Sequence, residues 1–463
     1  MMLDEADRLE KAEEEWFSKS SEIMKESAVV WTPLGEVVVP QLQKIGEHHD
    51  WKETERVLSI YGKTGKYAIG LYYVLTQAGH DHAERMIDVV VPSEIIGRKI
   101  QSFFRIITGE NLPQGNIYVC DPSVKWGPDS VSEDVYANEE VEPLIPGLFK
   151  AKTVEPEKDN KRKKYLTLEP IMEYDVVIGN PPYHKSTGTG NPIWHKFVEK
   201  SFKLCSGHIS LVHPAIWRKP QNNYTKCKDI QPKLFESVKY LSIYDSAEGE
   251  EVFGAGTRFD WYVADVKNGN DGEVKVVDEN GETYTAEIEK WPWVPNYKYE
   301  LIEHLIATNG QPKCEFIGDR TTYGSDSAYV SSEKSEEYNL PLLHTTPKTK
   351  NTRWKYSSKI QKDENGNPKH FETPKVIFGG NGIGEVIIDM EGQYGLTEEA
   401  RGVVVENESQ AEKVAKAIRS KTFEEIQEAT SWSNYRMDRD LMNEFRKDWY
   451  ETVLEIEKQR NDD

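Results

Sequence analysis

Short apolar runs rich in β-branched residues alternate with amphipathic stretches through the first half of the chain. Arg56 to Gly70 reads as strand, glycine turn and helix. Met86 to Val91 reads as a second strand, followed by Pro92-Ser93-Glu94 and a helix through Phe104. Asn116 to Cys120 is a third strand, ending at Asp121-Pro122. Residues 123–170 are polar, loop-rich and charged, and read as an insertion. The pattern resumes with a buried strand over Tyr174 to Ile178 and a helix carrying Ile193, Phe197, Val198 and Phe202 on one face. His208 to His213, Val238 to Tyr244 and Phe259 to Val266 are further strands. Such alternation predicts an α/β fold with a mostly parallel sheet.

The ends differ from this middle. Leu3, Ala6, Leu9, Ala12 and Trp16 recur at helical spacing among acids, predicting an N-terminal helix over 1–28. Thr32-Pro33 reads as an N-cap with proline at the first helical position, opening an amphipathic helix. Lys267-Asn268-Gly269-Asn270-Asp271-Gly272 is rich in turn formers and marks the expected domain boundary. Beyond it come short strands, aromatic-rich loops and short helices over Ala411 to Ile418 and Phe423 to Ala429. Three segments follow: 1–28, 29–267 and 268–463.

A chain of 463 residues suits two domains. No apolar run approaches the roughly 20 residues of a membrane-spanning helix, so no membrane partner is expected. Cys120, Cys205, Cys227 and Cys314 lack paired spacing, which argues against a zinc site or disulfide framework and fits a reducing, cytoplasmic setting. No metal is expected. The formal charge of −21 opposes a simple nucleic-acid binder and suits a basic protein partner. Charge is uneven, however. Lys348, Lys350, Arg353, Lys355, Lys359 and Lys362 interleave with Trp354 and Tyr356. This stretch reads equally as a basic groove for DNA or as a solvated loop.

The most specific signal is Val176-Val177-Ile178-Gly179-Asn180-Pro181-Pro182-Tyr183. A buried strand breaks at a glycine, and two prolines forbid both helix and ladder. Asn180 and Tyr183 are thereby held in a stiff loop at the strand's carboxyl end, where open α/β sheets keep their ligands. The loop offers an amide, prolyl carbonyls and an aromatic face. Asn180 and the Pro181 carbonyl can each accept one N–H of an exocyclic amino group, while Tyr183 stacks on the ring. Two acceptors favour a pyramidal nitrogen with a localised lone pair, so geometry replaces a general base. Upstream, Gly62-Lys63-Thr64 is not a phosphate loop, because Val57 stands where that motif needs glycine.

In this order the segments resemble the N6-adenine DNA methyltransferases of restriction–modification systems and phages, over about residues 29–265 and more faintly 370–450. The resemblance implies a Rossmann-like S-adenosyl-L-methionine-dependent domain with a C-terminal α+β target-recognition domain, and double-stranded DNA as partner. It implies catalysis by Asn180, Pro181, Pro182 and Tyr183 on a flipped-out adenine. Cofactor contacts are implied for Trp31, Thr32, Pro33, Ser59, Gly62, Gly65, Glu94 and Asp121. Lys185, Lys348, Lys350, Arg353 and Trp354 would meet DNA, with 185–190 as a lid. Gly207 to Trp217, and Phe253 with Thr257, resemble later family segments. The chain departs from the family where Ser59 and Gly62 to Gly65 replace an acid and a Gly-x-Gly. Asp88 lies early and Glu94 late for the ribose-binding acid. Two alternatives stay open: a weakened methyltransferase-fold subunit for DNA recognition, and an amino-methyltransferase for protein glutamine or RNA.

Overall fold

The computed structural model describes residues 32–62, 64–120, 147–154, 165–184, 192–219, 227–308, 310–380, 382–432 and 437–462. The expected 1–28 helix, together with Trp31, Asp121 and Lys185, lies outside these residues. The chain divides into two units, residues 1–217 with 221–289 and residues 218–220 with 290–463.

In the first unit the apolar runs become strands of one sheet. They are β1 (Val57–Ile60), β2 (Ile87–Val91), β3 (Ile117–Val119), β6 (Tyr174–Gly179), β7 (Cys205–Pro214), β8 (Val238–Tyr244), β9 (Phe259–Asp265), β10 (Val274–Val277) and β11 (Thr283–Ala286). A separate antiparallel pair, β4 (Phe149–Val154) and β5 (Tyr165–Pro170), sits inside the expected insertion. The strand order is β11-β10-β8-β9-β7-β6-β1-β2-β3. β3, β2, β1, β6 and β7 run parallel, whereas β9 is antiparallel to both β7 and β8. The sheet is therefore mixed at one side, as a short return between strands allows.

Helices α1 (Val39–Gly46), α2 (Lys66–Ala78) and α3 (Glu94–Thr108) turn Leu42, Ile45, Leu71, Leu75, Ile100 and Phe104 into one core with Val57, Val89 and Val176. Central strands β1 and β2 are buried at every position, which explains why their residues are nearly all apolar instead of alternating. α4 (Trp194–Leu204) precedes β7, α5 (Gln231–Ser237) precedes β8, and α6 (Ser246–Phe253) follows β8. Asp245 and Glu248 form a reciprocal capping box at the start of α6.

Two expectations need correction. The 267/268 boundary moves to 289/290, because β10 continues the sheet in parallel with β8 and β11 pairs beside it. Lys267 to Gly272 is a turn inside the unit, held by Asp265 Oδ1 accepting from Lys267 N and Asn268 N at 3.1 and 2.9 Å. Thr32 is not a helix cap either. Pro33 takes that place, Val38 N reaches back to Pro33 O at 3.3 Å in a wide turn over Leu34–Val38, and α1 follows.

The second unit is α+β. One four-stranded antiparallel sheet joins β12 (Phe316–Ile317), β19 (Ala400–Val404), β16 (Lys375–Gly379) and β17 (Val386–Asp389). Another joins β13 (Val330–Ser331), β15 (Arg353–Ser357), β14 (Leu340–Thr345) and β18 (Gly395–Leu396). Helices α7 (Glu408–Ile418), α8 (Lys421–Ala429) and α9 (Trp449–Asp462) bury Val414, Phe423 and Trp449.

Candidate active site at the carboxyl ends of β1 and β6

β1 lies between β2 and β6, parallel to both, with Val57 opposite Val176 and Ile60 opposite Gly179. The chain moves outward from β1 to β3 on one side and returns on the other with β6. The loops that leave β1 and β6 therefore diverge, and this reversal is where doubly wound sheets form a crevice. Both segments singled out in the sequence, Ser59 to Gly65 and Asn180 to Tyr183, leave the sheet at that point.

After β1 the backbone turns sharply. Tyr61 adopts a left-handed conformation with φ of 61°, and Gly62 N donates to Val90 O at 2.7 Å. A Cβ on Gly62 would lie 2.7 Å from Val89 Cγ1, so this glycine serves close packing against β2. Gly65, with φ of 85°, starts α2. The Ser59 hydroxyl is buried beneath this turn and has no hydrogen-bond partner among the described residues.

After β6, Asn180, Pro181, Pro182 and Tyr183 are all buried, Asn180 with 2 % and Tyr183 with 8 % exposure. Asn180 Nδ2 donates to Thr32 Oγ1 at 2.9 Å. Among the described residues its buried Oδ1 has no partner, and neither has the buried Tyr183 hydroxyl. Ile193 N donates to Tyr183 O at 3.0 Å, and His184 forms an antiparallel bridge with Pro192.

A polar and aromatic group on β7 and β9 accompanies the loop. Asp260, fully buried, accepts from Trp217 Nε1 through Oδ2 at 2.9 Å. Burial, then the Asp260 carboxylate, hold the phenols of Tyr183 and Tyr262 well above their usual range, so both stay protonated. His213 stacks on Trp194 at 4.3 Å and meets the Tyr262 hydroxyl at 3.2 Å. Burial pushes its imidazole down to about 3, which keeps it neutral. Tyr67 donates to Gln41 Oε1 at 2.8 Å, and Gln41 Nε2 donates to Ser210 Oγ at 2.9 Å. Asp260, His213, Gln41 and Tyr67 were absent from the sequence-derived site. The available signal was a lone acid in the otherwise apolar strand Phe259-Asp260-Trp261-Tyr262-Val263-Ala264.

Thr32, Asn180 and Tyr183 thus come together at one end of the sheet, with Ser59 on β1 beside β6 and Gly62 in the turn that follows. Glu94 does not join them as a buried acid: its side chain is 75 % exposed and pairs with Arg98 at 3.4 Å. Asp88 is spent at the other end of the sheet. It accepts from Arg56 Nε at 2.8 Å and from the Tyr174 hydroxyl at 2.6 Å.

In the second unit, Lys348 and Lys350 line a polar cleft of about 650 Å³ with Asn351, Thr352 and Glu385. Lys348 also pairs with Glu424. Arg353 is exposed at the start of β15. Trp354, half-buried, packs against the cluster of Leu343, Ile377, Leu396 and Ala400, with its ring 4.9 Å from that of Tyr394. Among the described residues no cluster of metal-ligating side chains occurs, and no helix is long and apolar enough to cross a membrane.

Residues 133–253 match the Eco57I restriction-modification methylase family. That window contains Asn180 to Tyr183 and omits Thr32, Ser59 and Asp260. An uncharacterized adenine-specific methylase of Mycoplasma pneumoniae is 29 % identical over 102 residues, which cover 20 % of this chain and 24 % of that protein. The chain thus spans about a quarter of the curated relative's length. Among solved structures, a DrdV–DNA complex aligns with a TM-score of 0.47 at 10 % identity, over 98 % of this chain and 59 % of the other. The type IIG restriction endonuclease BpuSI aligns at 0.39 and 12 % identity, over 92 % and 61 %. A modification subunit of a putative type I restriction enzyme from Vibrio vulnificus aligns at 0.36 and 11 %, over 59 % and 52 %.

Proposed function

We propose that this protein methylates N6 of adenine in double-stranded DNA, using S-adenosyl-L-methionine. The observation that carries the reading is the Asn180 carboxamide at the β1–β6 switch point. Its nitrogen is engaged by Thr32, and its oxygen is buried with no donor among the described residues. A buried acceptor without a donor is unfavourable by about 1–3 kcal/mol, and an incoming amino group relieves that. The methylase match over the same loop supports the reading.

The residues fit the cofactor at its reacting end. Ser59, whose buried hydroxyl has no partner among the described residues, would hold it together with the Gly62–Gly65 turn and Pro33. Bound there, it would supply an electrophilic sulfonium methyl group. Everything else falls to the chain. An adenine must leave the base stack, at a few kcal/mol, to reach a pocket of this kind. Asn180 Oδ1 and the Pro181 carbonyl then accept its two amino hydrogens and aim the nitrogen lone pair. Tyr183 stacks on the ring; as a protonated phenol it takes no proton, so the one proton that the methylated amine must shed is released to water. Lys348, Lys350 and Arg353 are the proposed DNA-backbone contacts of the second unit, since phosphates reward surface cations.

The test is transfer of labelled methyl groups to duplex DNA by purified protein. Wild type should label DNA, and Asn180→Ala should lower the rate at least about a hundredfold, as expected when an orienting acceptor is lost. Equal labelling by both would remove the mechanism.

A further inference from the structure

Asn180 has a partner that the sequence reading assigned elsewhere. A terminal carboxamide has two orientations, related by a half-turn, and only one points oxygen at an amine. Here Nδ2 lies 2.9 Å from Thr32 Oγ1 across 148 residues of sequence, and both side chains are buried. In this contact the hydroxyl accepts, and the oxygen faces away from Thr32. The reverse orientation would present an –NH2 to the substrate's –NH2, donor against donor.

Thr32 is well placed to hold this choice. A residue before proline is restricted to extended backbone. Pro33 continues extended, at φ −63° and ψ 140°, and the turn that follows is anchored by buried Leu34, Val37 and Val38. The hydroxyl is therefore presented by a stiff segment seated in the core.

We infer that Thr32 is a positioning residue: its hydroxyl anchors the Asn180 carboxamide through Nδ2 and holds the side chain where Oδ1 can meet the substrate amino group. The inference rests on the proposed methyl transfer, and it differs from a direct role of Thr32 in holding the cofactor. Thr32→Val keeps the shape and removes the acceptor; Thr32→Ser keeps the hydroxyl. Thr32→Val should lower kcat about 10- to 100-fold, while KM for duplex DNA and the calorimetric Kd for S-adenosylmethionine change less than about threefold. Thr32→Ser should return kcat to within about threefold of wild type.

A wild-type kcat in Thr32→Val overturns the inference. So does a loss explained wholly by weaker cofactor binding, which would make Thr32 a cofactor contact. The side-chain amide of Asn180, followed by NMR in protein without ligands, tests the contact itself. Its protons should exchange slowly in wild type and Thr32→Ser and quickly in Thr32→Val; identical exchange in all three overturns the inference. Wild-type protein that labels no DNA overturns the methyl-transfer reading, whatever the NMR result.

Discussion

A Cβ atom on Gly179 would lie 2.1 Å from the carbonyl oxygen of Ile60. No real side chain tolerates such a distance, so β6 approaches β1 at its last residue only because Gly179 has none. Gly179→Ala must push the two central strands apart just where both loops begin. Overpacking of this kind costs about 1–3 kcal/mol or more. Urea unfolding should show that loss, with Gly35→Ala as control, since nothing lies within 4 Å of a Cβ there.

Tyr183 separates the ring from its hydroxyl. The buried hydroxyl has no partner among the described residues, so Tyr183→Phe should leave stability unchanged or slightly raised. Its methyl-transfer rate should stay within about tenfold of wild type if the ring is what stacks on the base. Tyr183→Ala should lose activity while remaining folded. Steady-state rates beside thermal melts check all three statements.

Acid should destabilise the first unit through its buried imidazoles. Burial lowers His213 to about 3 and His208 to about 4, against an ordinary value near 6.5. Both are depressed, so the unfolded chain binds protons first as pH falls. Stability is complete above about 6.5 and declines from there toward 4 and then 3. For His213 alone the loss between pH 7 and 5 is about 2 kcal/mol. His213→Phe retains a ring against Trp194 and should flatten this slope in pH-dependent unfolding.

In the second unit, Lys375 and Asp389 form a buried ion pair of 2.6 Å between β16 and β17. Asp389 also accepts from Gln393 N at 2.8 Å and Tyr394 N at 3.1 Å. Lys375→Met leaves that carboxylate uncompensated and should cost about 3–5 kcal/mol. Adding Asp389→Asn should recover part of the loss, and a double-mutant cycle measures how much.

What the sequence made legible was local. β-branched runs between Gly and Pro located β1, β2, β3, β6, β7, β8 and β9 to within three residues. Asn180 to Tyr183 declared its stiffness through two prolines. What stayed hidden depends on distant partners. Thr32-Pro33 carries the same letters whether the threonine caps a helix or receives an amide from 148 residues away. Lys267 to Gly272 has the turn chemistry of a linker and of a turn within a sheet alike. Trp354 sits on a strand whose residues are mostly half-buried, a pattern that its lysine neighbours disguised as solvated loop.

Base-resolved mapping of N6-methyladenine in DNA from cells that lack other adenine methylation tests the central claim most directly. Expression of the wild-type chain should place the mark at one recurring sequence, and expression of Asn180→Ala should leave that sequence bare. Unmodified adenine in both, or the same mark in both, would contradict the role assigned to the Asn180 carboxamide.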